Sequence, residues 1–349
     1  MTSKYGLGSD QVLSIDIVTP DGRLITADET QNQDLFWAIR GGGPATWGVV
    51  VSMTVKVYEK TVFSGMTWDT TTLEMNVTDD QFWEAIEAYW SQYPKFSEAK
   101  SYGYCRMSGL PGGGYAWRAK PWMVPGMKLV DFKALVQPLL DEWAAIGVDP
   151  NVEFFEYDNL YDAWIRHFPT ERVGSPYART GSRLIPRENW ATPEIANHTI
   201  QTVRSVVEDG AFLVHYNINA DAPENTPDSA ANPAWRDVMM FAIIGLIWDQ
   251  DTPQDQVDIL NDKLTNDLGQ RLKDLSPNGG GYLNEGDVMD PEFAQSFYGD
   301  HYERLLKIKK KVDPRDLFWA PTAVGSEGWY LTNQNPFVTK QNGRLCRRQ

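Results

Sequence analysis

Between residues 60 and 275 the chain alternates aromatic-rich strand candidates, at 61–70, 100–108, 113–123, 211–219 and 238–248, with helical stretches near 79–92, 129–146 and 253–272. Strands with that much aromatic surface must bury at least one face. The economical way to do so is an antiparallel sheet with helices laid over one side. The pattern therefore predicts an α+β fold. With 349 residues, 42% of them hydrophobic, the chain can bury the core of two domains or of one large one.

The first 58 residues follow a different pattern. QVLSIDIVTPDGRLITA, 11–27, reads as two strands joined through Thr19-Pro20-Asp21-Gly22, where proline presets a turn dihedral and glycine closes the turn. Asn32 is placed to cap a short helix, QDLFWAIR, which Gly41–Gly43 stop. VVVSMTVKVYE then alternates Val51, Met53, Val55 and Val57 with Ser52, Thr54, Lys56 and Tyr58, the pattern of a half-buried strand. Strand, strand, helix, strand is too little to close a core alone. Near the other end, Asp300 and Glu303 have capping-box spacing for a helix over 301–312 that stops before Asp313-Pro314. Lys309, Lys310 and Lys311 then fall where cations suit the helix dipole. The loop 219–233, NADAPENTPDSAANP, reads as a surface excursion.

The balance of 32 Lys and Arg against 47 Asp and Glu gives a formal charge of −15. That argues against nucleic acid or an anionic membrane surface as a partner and favours a small-molecule substrate. Cys105 and Cys346 are far apart and lack metal-ligand spacing, so no metal site is signalled. No apolar run has the length of a membrane span, and the first residues lack the profile of a signal peptide. The sequons at Asn76 and Asn197 are compatible with secretion, and location stays open.

Chemistry-bearing residues cluster in YLNEGD, 282–287, after Gly279-Gly280-Gly281. In an extended segment Tyr282 and Asn284 share one face and Leu283 and Glu285 the other. A phenol can relay a proton or, with its anion stabilised, accept one, while an amide holds a neighbour in place. Both could equally satisfy loop backbone groups. His301 sits on the apolar stripe of its helix, where a satisfied, partly buried histidine is the commoner reading. In AFLVHYNINA, His215, Asn217 and Asn219 share a face that could line a substrate cavity or meet water.

The ordered set SKYGLGSDQVLSIDIVTPDG, NQDLFWAIRGGGPATWGVVVSMTVKVY, GSRLIP, NPAWR, GGYLNEGD and YGDHYERLLKIKKKVDPRDLFWAPTAVGSEGW resembles the berberine-bridge-like FAD-linked oxidases of the vanillyl-alcohol-oxidase superfamily, in their fungal branch. The resemblance runs from Ser3 to Trp329. It implies a PCMH-type FAD-binding domain, here partial, formed by residues 1–58 and 276–349. A substrate domain at 59–275 would hold the helix-covered antiparallel sheet. It also implies removal of a hydride from an alcohol, amine or allylic carbon to flavin N5, with reoxidation by oxygen, in secondary metabolism. By similarity Trp47, Gly48, Val49 and Val50 would contact FAD through their backbone, with Asn284 and His301 near it. Tyr282 would be the candidate base, with Glu285 and His215 as further proton-transfer candidates.

Two departures from the family accompany the resemblance. His301 stands where the family usually has Asn. The segment that in the family carries the pyrophosphate loop and the covalent flavin attachments is not matched, and Cys105 and Cys346 correspond to neither attachment. The expectation is thus a C-terminal portion of such an oxidase, with FAD non-covalent or absent, or completed by a second chain. The alternative is a flavin-free relative that catalyses an isomerisation or cyclisation.

Overall fold

The computed structural model describes residues 1–43, 46–170, 174–337 and 342–348. The chain divides into two compact units. One comprises Met1–Lys4, Glu59–Asn219 and Asp237–Gly279, and the other Tyr5–Tyr58, Ala220–Arg236 and Gly280–Gln349. They are called the sheet unit and the glycine-loop unit below.

In the glycine-loop unit, β1 (Val12–Val18) and β2 (Leu24–Asp28) form the expected hairpin. Thr19 N donates to Arg23 O at 2.9 Å, Gly22 N donates to Thr19 O at 2.8 Å, and Gly22 takes φ +82°. Helix α1 (Gln33–Ile39) follows. Asn32 does not cap it: the residue has φ +49°, and its amide donates to Thr26 O at 2.7 Å, back toward the hairpin. β3 (Val49–Val55) pairs antiparallel with β1, giving the order β2-β1-β3. The expected half-buried alternation of β3 is not found, because all seven of its residues are exposed. β1 borders it on one edge, and the side chains of Val51, Met53 and Val55 have no covering layer.

In the sheet unit, β4 (Phe63–Thr71) leads into α2 (Asp79–Ser91) and α3 (Tyr93–Glu98), then β5 (Tyr102–Gly109), β6 (Tyr115–Pro125) and α4 (Leu129–Ile146). There follow β7 (Glu153–Tyr157), α5 (Leu160–His167), β8 (Ala178–Pro186), α6 (Pro193–Glu208), β9 (Phe212–Asn217), β10 (Val238–Ile247) and α7 (Gln254–Lys263). The seven strands are antiparallel neighbours in the order β7-β4-β6-β5-β9-β10-β8, so the α+β expectation holds. Alternation along β5 sends Gly103, Cys105 and Met107 inward and Tyr102, Tyr104 and Arg106 to the other face. The inward face meets Phe82, Ile86 and Tyr89 of α2, Phe132, Val136 and Trp143 of α4, and Ile200 and Val203 of α6.

That core is built from rings set edge to face. Trp68, Trp117 and Trp143 lie 5.0–5.6 Å apart between centroids at 67–79°. This geometry sets the positive edge of one ring on the negative face of the next. The buried indole N–H groups of Trp68 and Trp117 have no conventional acceptor.

The glycine-loop unit closes with α8 (Phe293–Tyr298), α9 (Tyr302–Val312), β11 (Trp329–Leu331) and β12 (Leu345–Arg347). The expected Asp300 capping box does not form, because a 3₁₀ turn over Gly299–His301 leads into α9 instead. The core of this unit packs Ile15, Ile17, Leu35, Trp37 and Trp47 against Ala230, Tyr298, Leu305 and Ile308. The 219–233 loop is only in part a surface excursion. Ser229, Ala230, Ala231 and Asn232 are buried, and a Cβ at Gly41 would lie 1.9 Å from Ala231 N. Gly41 is therefore required by close backbone approach as well as by the helix stop. Arg40, stacked on Phe36, donates to the carbonyls of Pro227 and Asp228. Arg236 is bidentate to buried Asp10 at 2.7 Å, a fork geometry that fixes the loop's other end.

Candidate functional site

The glycine stop after α1 and the YLNEGD segment meet in the glycine-loop unit. They line a cavity of about 340 Å³ bounded by Gly43, Thr46, Leu283, Asn284, Gly286, Val288 and the stretch Ala320–Ala323. That volume lies at the lower end of the roughly 300–1,000 Å³ typical of small-molecule pockets. Gly43, at φ +93°, allows the wall to approach closely: a Cβ there would stand 3.2 Å from Leu283 Cδ2 and 3.3 Å from Tyr298 Oη. The Thr46 hydroxyl is buried and has no hydrogen-bond partner. An open pocket walled in the main by apolar groups such as Leu283, Val288, Ala320 and Pro321 suits a flat, mainly apolar ligand that carries polar atoms on its edge. An isoalloxazine ring fits that description.

Tyr282 and Asn284 come together, though not as an extended strand would bring them. Leu283–Glu285 form a 3₁₀ turn, and within it Asn284 Nδ2 donates to Tyr282 Oη at 2.7 Å. The Tyr282 ring packs edge-on against Trp235 at 5.5 Å. Asn284 lines the cavity and Tyr282 stands next to it. Glu285, half-buried at the end of the same turn, is outside the lining.

The other sequence candidates are placed differently. Trp47 is core: it is 1% exposed, its indole donates to Gly42 O at 3.1 Å, and its ring closes the space over Gly42. At Gly48 a Cβ would stand 2.5 Å from Val18 O and 2.8 Å from Ile17 Cδ1. Its missing side chain thus serves the packing on β1. Val49 and Val50 begin the exposed β3 and do not line the cavity. His301 lies edge-on to Trp37 at 5.1 Å with its Nδ1 buried and unpartnered, and it is not among the lining residues.

His215 is corrected most clearly. The polar face of β9 neither lines a cavity nor meets water. His215 and Asn217 are fully buried beneath α2 and α3, with Tyr93 Oη 2.7 Å from His215 Nδ1 and the Asn217 amide oxygen accepting from Ser101 Oγ at 2.7 Å. Burial disfavours the imidazolium and pulls the His215 pKa down to about 3, so it is neutral near pH 7. Cys105, on the same inward face, is pushed up to about 12 by burial and is an inert thiol. The opposite face of β9 carries stacked aromatic rings. Tyr216 stacks between Tyr104 and Phe241 at 5.1 and 5.4 Å with near-parallel planes. The signal for it lay in the alternation of Phe212, Val214 and Tyr216 with the polar residues.

Comparison with known proteins gives a consistent picture. Residues 281–325, which hold most of the cavity lining, match the family model described as "Berberine and berberine like". The FAD-linked oxidoreductase patO of Aspergillus clavatus is 30% identical over 353 residues, a match covering 99% of this chain and 58% of the relative. The bifunctional decalin synthase calF of Penicillium decumbens is 31% identical over 358 residues, covering 99% of this chain and 59% of the relative. Among solved structures, the VAO-type flavoprotein MtVAO615 of Myceliophthora thermophila superposes with a TM-score of 0.85 at 28% identity, over 99% of this chain and 61% of that one. The chain thus spans less than two thirds of the length of these proteins.

Proposed function

We propose, from the premise that the chain belongs to the berberine-bridge-like, vanillyl-alcohol-oxidase-type flavoproteins, that it acts in an FAD-linked oxidoreductase on a small organic substrate. The observation that carries this reading is the cavity where Gly43 and Thr46 face Leu283, Asn284 and Gly286. Gly43 and Leu283 would hold the flat faces of the ring, and Asn284 would meet its polar edge. A bound flavin would supply the hydride acceptor, with dioxygen as the final oxidant.

The chain's own contribution is to orient and to move a proton. Asn284 fixes the phenol oxygen of Tyr282 at 2.7 Å, and Tyr282 takes or relays the proton of a substrate hydroxyl or amine as the neighbouring C–H bond breaks. The exposed edge of β3 is where further polypeptide, including a second chain, would add strands to the flavin domain.

A second reading, a non-redox cyclisation or isomerisation, is favoured by one observation, the similarity to a relative named a decalin synthase. Oxygen consumption on substrate turnover separates the two readings.

FAD fluorescence titrated with the purified chain tests the first. The wild-type chain quenches it saturably. Gly43→Val, folded by circular dichroism, does not, because a branched side chain would enter space bounded by Leu283 and Tyr298. Quenching by neither protein, or equally by both, contradicts the assignment.

A further inference from the structure

The stretch Ala320–Ala323, one wall of the cavity, is a tight turn closed by Ala323 N donating to Ala320 O at 3.2 Å. Pro321 and Thr322 are its central residues. Thr322 has φ +58°, so proline stands at the second position and a left-handed residue at the third, an arrangement that calls for glycine or asparagine there. A β-branched residue in that region is strained.

A buried phenol holds the strained turn in place. Tyr298, 0% exposed, donates from Oη to Thr322 O at 3.0 Å, and the same Oη would stand 3.3 Å from a Cβ at Gly43, another lining residue. One packed side chain thus spaces two parts of the cavity wall. The turn cannot relax without breaking a buried hydrogen bond.

What threonine adds at this position, and glycine would not, is a hydroxyl on the wall. Thr322 is half-buried and lines the cavity. Its Oγ1 donates its one proton to Pro321 O at 2.6 Å, and no donor among the described residues reaches that oxygen in return. A hydroxyl has one donor and two lone pairs. With the donor spent, Thr322 offers acceptor capacity alone.

We infer that Thr322 is the specificity-determining residue of this cavity: its hydroxyl accepts a hydrogen bond from a ring N–H on the edge of the bound ligand, and so selects a flat heterocycle that carries such a donor. The inference rests on the flavin reading above and deepens it by naming the ring atom that is recognised. Oxidised isoalloxazine has a single ring N–H, at N3, between two carbonyls. Those carbonyls need donors, and the Thr322 proton is already committed to Pro321.

The test follows melting temperature without ligand, and affinity by fluorescence quenching with FAD and with 3-methyl-FAD, in which a methyl group replaces the N3 proton. The wild-type chain should bind FAD at least about tenfold more tightly than 3-methyl-FAD, the scale of one hydrogen bond. Thr322→Gly suits the turn, so its ligand-free melting temperature should equal or exceed that of the wild type. Its dissociation constant for FAD should nevertheless rise about tenfold, and its preference for FAD over 3-methyl-FAD should disappear, because protein and ligand changes remove one contact. Thr322→Ser keeps the hydroxyl and should retain both affinity and preference.

Thr322→Gly with wild-type FAD affinity overturns the assignment, as does Thr322→Ser that loses as much as Thr322→Gly. A wild-type chain that binds FAD and 3-methyl-FAD equally well also overturns it while leaving the flavin reading in place. A wild-type chain that binds neither removes the flavin reading and this inference with it.

Discussion

The two sheets of this protein make opposite use of similar sequence. The β5 strand and the β3 strand both alternate by residue type, yet one face of β5 is sealed by three helices and all of β3 is exposed. Val51, Met53 and Val55 would be core residues had a layer covered them. The difference is that β5 lies between two strands, under helices supplied by its own unit, whereas β3, among the described residues, is an edge strand bordered by β1. Binary pattern states which face a strand can bury. Whether anything covers that face is a property of the rest of the polypeptide.

The sharpest way to break this contrast is to remove bulk from each sheet. Trp117→Ala, in the edge-to-face triad with Trp68 and Trp143, should cost the sheet unit about 3–5 kcal/mol by urea unfolding. A loss below about 1 kcal/mol would mean that the ring cluster is not the core it is taken to be. The next effect is acid lability. His215 is neutral in the folded state with a pKa of about 3, against 6.5 for the free group. Below pH 6.5 the unfolded chain therefore binds a proton that the folded chain refuses, and stability falls as pH drops. Between pH 6.5 and 4.5 this group should remove about 2–3 kcal/mol. A His215→Gln variant with the same pH slope as the wild type would contradict the assignment.

Gly43→Ala should cost about 1–2 kcal/mol in the glycine-loop unit, since φ +93° is strained for any residue with a Cβ, and should weaken FAD in the same sample. Unchanged stability together with unchanged affinity would show that Gly43 is not a tight wall. The smallest expected effect is at β3. Val51→Ala should shift stability by less than about 0.5 kcal/mol, and Val51→Lys should lower any self-association measured by sedimentation, because a charge on an exposed edge opposes strand addition. A cost above about 1.5 kcal/mol would mean that β3 is covered in solution.

What could be read from the sequence follows the same division. The first hairpin was legible because Pro20 and Gly22 fix a turn between two β-branched runs, and α4 because Leu129–Ile146 carries an uninterrupted helical stripe. Helix α6 went unrecognised although Thr192 and Pro193 are a cap and a first-turn residue, with Ala196, Ile200, Val203 and Val207 on one stripe. Strand β8 hid behind Arg179 and Arg183, which point inward, Arg183 onto Ser276. At the site, YLNEGD announced itself by residue type, and the Tyr282–Asn284 contact formed through a 3₁₀ turn rather than a strand. Lys309 could not be singled out: it is 2% exposed and donates to Thr46 O, Asp313 Oδ2 and Phe318 O, and periodicity does not encode which charges are buried. His215 misled because polar residues on a central strand read as a cavity, whereas Tyr93 and Ser101 hydrogen-bond His215 Nδ1 and the Asn217 amide oxygen inside the core.

The central claim is that one cavity of the glycine-loop unit receives the isoalloxazine. Amide hydrogen exchange with and without saturating FAD tests it most directly. The account predicts slowed exchange at Thr46–Gly48, 283–288 and 320–323, and unchanged exchange along β3. Bound FAD that leaves those three stretches unaffected and protects others instead would contradict it.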